Sequence, residues 1–202
     1  MTPARRLTLA AASLATSAAL ILTGCASQEA GSAATFTDSR IAETALSSEV
    51  AMILEAKGQS PTTEDASLVQ QTLGRMITTF LVDRLSTDQG IVISQGMIDG
   101  MTVNYEAQLG GAEALEAAFL QENVAPEQIE TLLVLQLQAQ ELGYVLNPSG
   151  SAEEQGLAAF EAISALSQEL ETTVSPRFGT WDPQTLSIAG IPNDLSTPPV
   201  AE

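Results

Sequence analysis

Histidine is missing from the whole chain. That absence excludes Ser-His-Asp and Cys-His nucleophile systems, histidine-ligated zinc and any histidine general base. Cysteine occurs once, as Cys25, which removes disulfides, cysteine-rich metal sites and Cys-x-x-Cys redox chemistry. Aromatic residues make up only 4% of a sequence that is 45% hydrophobic, so its core is built from Ala, Leu, Ile, Val and Met. That palette suits packed helices better than a β-sandwich. Basic residues are scarce as well, seven against 25 acidic ones, for a formal net charge of −18. A field of that sign repels phosphates and anionic lipid surfaces, which argues against nucleic acid as a partner. It serves solubility first, and attraction of cationic polypeptides or cations is the functional alternative.

What is present begins with a leader. Arg5 and Arg6 form a positive start, and Leu7 to Leu22 an apolar stretch interrupted by Ser13, Thr16 and Ser17. The stretch is short for a membrane span of about 20 residues and reads as a signal peptide over residues 1–24. Its end, Leu22-Thr23-Gly24-Cys25, resembles the bacterial lipobox. The resemblance implies cleavage between Gly24 and Cys25 and lipidation of the Cys25 thiol. A second acyl chain makes such an anchor stable. The expected location is the extracytoplasmic face of the cell membrane, reached through the lipid anchor. Small and polar residues over 25–34 predict a flexible tether.

Behind the tether, periodicity predicts a single, mainly α domain over 35–190 with about six helices. The first runs over about 41–57, with Leu46, Val50, Ile53 and Leu54 on its apolar face and Gly58 after it. The second spans about 63–89 along Val69, Leu73, Met76, Ile77, Phe80, Leu81 and Leu85, and Gly74 within it predicts a close helix crossing. Ile91-Val92-Ile93 reads as extended and Ser94 as the N-cap of a third helix that ends at Gly110-Gly111. A fourth follows over about 112–122. Pro126 opens a fifth that is apolar on more than one face and therefore central. The sixth, about 152–173, is expected to bury Leu157, Phe160, Ile163, Leu166 and Leu170. A minor two-stranded β element is expected to join the chain ends, pairing the segment near Phe36 with one near Phe178 or Leu186. Residues 191–202 read as a disordered tail.

The order of these pieces resembles the N-terminal domain of SurA- and PrsA-type extracytoplasmic chaperones, in the actinobacterial lipoprotein form without a parvulin domain. The residues that carry the likeness are Phe36 to Glu43, Phe80 to Ile91, Val92-Ile93-Ser94-Gln95, Leu109-Gly110-Gly111, Val124 to Glu130 and Pro176 to Asp182. Asp38-Ser39 departs from the family's usual Asn/Asp-Gly turn. The resemblance implies chaperone-like binding of unfolded or newly translocated polypeptides. Prolyl isomerase activity is not expected, because the parvulin domain and its histidines are missing.

Candidate chemistry is sparse. Glu153-Glu154, Glu113, Glu116 and Glu122 sit at helix starts or on solvated faces and offer no acid–base pair. Asp83 to Gln89 lacks the alternating oxygen ligands of a calcium loop, and Gly110-Gly111 lacks the Lys-Ser/Thr of a phosphate loop. No catalytic residue, cofactor or metal is expected. Met97, Met101 and Tyr105, one turn apart, are candidates for client contact, since flexible thioethers suit promiscuous apolar surfaces. The same stripe also reads as core packing. Trp181 carries the same two readings: an anchor for the terminal segment, or a partner contact. A structural or regulatory lipoprotein with one dedicated envelope partner is the alternative function.

Overall fold

Helix boundaries follow the capping chemistry written into the chain. The computed structural model describes residues 31–190, in which six helices and two small antiparallel sheets are formed. Strands β1 (Ser32–Thr35) and β2 (Arg40–Ala42) lead into α1 (Glu43–Ala56). Helix α2 (Ala66–Asp88) starts at Asp65, whose carboxylate accepts the Leu68 N–H at 2.9 Å. It stops at Gly90, whose φ of 68° lets the Ile91 and Gly90 N–H groups close onto Ser86 and Thr87. Helix α3 (Gln95–Leu109) is capped by Ser94, and α4 (Ala112–Gln121) follows the Gly110-Gly111 break. A 3-10 turn at Pro126–Gln128 feeds α5 (Ile129–Leu146). Helix α6 (Ala152–Glu169) opens with a reciprocal capping box, in which the Glu154 carboxylate accepts the Ser151 N–H at 2.7 Å and Ser151 Oγ accepts the Glu154 N–H. The chain closes with β3 (Thr173–Val174), a 3-10 turn (Pro176–Phe178), β4 (Thr180–Asp182) and β5 (Ser187–Ala189).

The main core lies where α1, α2, α5 and α6 meet. Ile53, Leu54, Leu73, Ile77, Leu81 and Leu142 are essentially closed to solvent there, each contributing about 1.5–3 kcal/mol by burial. Helix α5 is central, packing against α6, α2 and α3. The α5–α6 approach is set by Gly143, where a Cβ would lie 2.5 Å from the Gln155 carbonyl oxygen. A second, smaller core holds α3 and α4 to the start of α5 through Val124, Ile129 and Leu133.

Several expectations need correction. The tether prediction fails over its last residues: Ser32, Ala33 and Ala34 are buried in β1, because they pair with β2 on one side and β3 on the other. The first sheet therefore has three strands, and the N- and C-terminal segments of the described residues meet at Ala34–Val174 and Thr35–Thr173, earlier than Phe178 or Leu186. Trp181 and Ile188 instead face each other in a separate β4–β5 hairpin. Leu157 (56% exposed) and Phe160 (38%) point outward, because the face of α6 that packs on the bundle carries Ala159 and Ile163. Gly74 has open space around it, so the close crossing belongs to Gly143. Residues 1–30, with the leader, Gly24 and Cys25, lie outside the described residues, as do residues 191–202.

Candidate functional site

A cleft of about 660 Å³ opens between β2, α1, α2 and α5, within the size range of ligand-holding clefts. Helical periodicity builds its walls. From α2 come Arg75, Met76, Thr79, Phe80 and Asp83, one face at spacings of one, three and four. Glu127, Glu130, Thr131, Val134 and Gln138 form the matching stripe on the turn before α5 and on α5 itself. Glu49 and Met52, three apart on α1, and Ile41 of β2 complete the lining. The floor is apolar and soft. Met52 and Met76 are partly buried against the main core, and Phe80 stacks on Phe36 with ring centroids 4.0 Å apart. Unbranched thioethers adapt to differently shaped apolar partners at small cost.

The rim is acidic. Glu49 accepts a hydrogen bond from Gln128 Nε2, and Asp83 one from Gln138 Nε2 at 3.2 Å. Glu127 and Glu130 are exposed and engage none of the described residues. The one guanidinium in the lining, Arg75, is turned into the wall. Its Nη1 donates to the Asn123 carbonyl at 2.8 Å, while Nη2 is shielded from solvent with no acceptor among the described residues. Burial lowers the Arg75 pKa from its ordinary value, and the charge of Glu49 pulls it back up. Arginine stays protonated regardless, so Arg75 acts as a charged strut. Asn123, at φ 60°, is the hub it holds: the Asn123 side chain accepts from Lys57 and donates to Gln71 at 2.5 Å. These contacts tie the α4–α5 junction to α1 and α2.

The residues singled out in sequence lie elsewhere. Met101 and Tyr105 pack into the second core, where Tyr105 meets Phe119 edge-on at 5.6 Å and donates its hydroxyl to Gln136 at 2.9 Å. Met97 is half-buried on the first turn of α3, outside the cleft. Trp181 is 7% exposed, and its indole N–H donates to Ser167 Oγ at 2.8 Å, fastening the β4–β5 hairpin to α6. The methionines that line a concavity are Met52 and Met76. A sequence signal for them existed in the polar-edged stripe at 127, 130, 131, 134 and 138, which marks a face of α5 that the leucines leave uncovered.

Among the described residues there is no cluster of three or more His, Cys, Asp or Glu placed to hold a metal ion, and no helix long and apolar enough to cross a membrane. Known protein families, curated proteins and solved structures contain no match to this chain.

Proposed function

We propose that the chain is a lipoprotein, anchored through Cys25 at the extracytoplasmic face of the membrane, whose helical body transiently holds unfolded or newly translocated polypeptides and does no chemistry on them. The observation that carries this reading is the open cleft with its floor of Met52, Met76 and Phe80. Burial of a client's apolar side chains against that floor supplies the affinity, about 0.8 kcal/mol per methylene. The resemblance to SurA-type chaperone domains and the leader with its lipobox point the same way. Suppression of aggregation tests it, with the full chain on phosphatidylcholine vesicles and a denatured client in solution. The expected result is suppression at near-equimolar protein. No suppression at large excess removes the reading. For the anchor, Cys25→Ser is expected to release the protein from the membrane fraction of cells.

A second reading, one dedicated envelope partner, draws on the elbow between α5 and α6. Tyr144, Val145, Leu146, Leu157 and Phe160 are all exposed there, an unusual concentration of large apolar residues. Crosslinking from Leu157 that yields one stoichiometric adduct, with no client adducts from the cleft, would favour it.

A further inference from the structure

We infer that the cleft between α1, α2 and α5 selects polypeptide segments in which basic residues flank an apolar core, and disfavours acidic ones. The inference rests on the chaperone-like reading and adds the charge class of the client.

The argument is one of complementarity between a floor and a rim. The floor offers thioether and aromatic carbon from Met52, Met76 and Phe80, which accepts apolar side chains of varied shape. Four carboxylates edge the opening, Glu49, Asp83, Glu127 and Glu130. Arg75 offsets one of them, Glu49, to which its charge is coupled from within the wall, and leaves the other three without a cation in the lining. Its guanidinium is committed to Asn123 through Nη1, and Nη2 is shut off from solvent. Glu127 and Glu130, one turn apart before and on the first turn of α5, have no partner among the described residues, so a ligand's ammonium or guanidinium displaces no existing pair. The whole chain reinforces the local sign, with 25 acidic against seven basic residues. Such a field raises the local concentration of cationic segments and slows acidic ones. Neutral segments bind through the floor alone. Two exposed ion pairs of ordinary strength multiply affinity by about fivefold, and that gain fades with salt.

Three fluorescent peptides share one apolar core and differ only in their flanks: lysines, glutamines or glutamates. Their binding to the full chain on phosphatidylcholine vesicles is followed by anisotropy, with bare vesicles as the control. The expected order is lysine tightest, glutamine intermediate and glutamate weakest, with about fivefold between neighbours. The spread should collapse in 0.5 M salt and in the Glu127→Gln/Glu130→Gln variant, whose circular dichroism and Tm report whether it stays folded. Equal affinity for all three peptides overturns the inference and leaves the chaperone-like reading in place. So does a preference unchanged both by salt and by the double variant. If none of the three binds, the inference falls together with the reading it rests on.

Discussion

Breaking the contact between Trp181 and Ser167 tests whether the C-terminal hairpin is a fixed part of the bundle. The indole is 7% exposed and Ser167 1%, and they share one hydrogen bond of 2.8 Å. Trp181→Phe keeps most of the ring but removes the donor, leaving the Ser167 hydroxyl buried without its partner. The cost expected is about 1–3 kcal/mol for the stranded hydroxyl, with a further contribution from lost ring volume. Ser167→Ala strands the indole N–H instead and is expected to cost about 1–2 kcal/mol. The double variant has no stranded group, so its cost should fall below the sum of the singles by about 1 kcal/mol or more. Urea denaturation followed by circular dichroism supplies all four stabilities. Wild-type Trp181 also supplies a single-tryptophan emission that should shift to the red as the hairpin comes away. Strict additivity of the two variants, or native emission already typical of water-exposed indole, would refute the packing described for the hairpin.

Other predictions concern helix α2 and the acid range. Gly74→Ala places a Cβ in open space inside α2, and urea titration should show a gain of about 1 kcal/mol. Thr72 is fully buried on α2 and its hydroxyl has no partner among the described residues, so Thr72→Val should raise Tm, while Thr72→Ser should lower it through lost packing. Asp65→Ala removes the cap on the Leu68 N–H and is expected to cost about 1 kcal/mol, with amide exchange accelerated at the start of α2. The Glu154 carboxyl is held below its ordinary value by the Ser151 backbone N–H and then by the Ser151 hydroxyl. A lowered pKa in the folded state gives stability that is present above the ordinary glutamate value and is lost as pH falls through the lowered one. The Tm difference between wild type and Glu154→Gln should therefore be largest near neutral pH and vanish in strong acid.

The helices were legible because an apolar period marks each one, and a capping residue or a glycine stop marks the ends of several. Ser94 sits where a period starts, Gly90 and Gly110 where one stops, and the structure caps or ends the helices there. The sheets were harder to read because β3 has only two residues, too few to carry an alternation, and β1 is written in Ser and Ala. Their pairing depends on the fold bringing residue 34 beside residue 174, a separation no local pattern encodes. Leu157 and Phe160 misled because amphipathic spacing says which residues share a face and not which face is covered. The cleft was invisible for a related reason. Its lining comes from five elements, and Met76 and Phe80 share a helix face with true core residues such as Leu73 and Ile77. Which of them line the cleft and which the core depends on how α1 and α5 flank α2.

The claim that the α1–α2–α5 cleft holds client chain is tested most directly by photo-crosslinking from its wall. A photoreactive side chain replaces Thr131, on the cleft face of α5, or Glu113, exposed on α4 away from it. The vesicle-bound full chain is then irradiated with a denatured client. Client adducts from position 131, absent from position 113 and abolished when Thr79→Trp fills the cleft, are the result predicted. Equal yields from the two positions, or adducts that survive the filled cleft, would contradict the account.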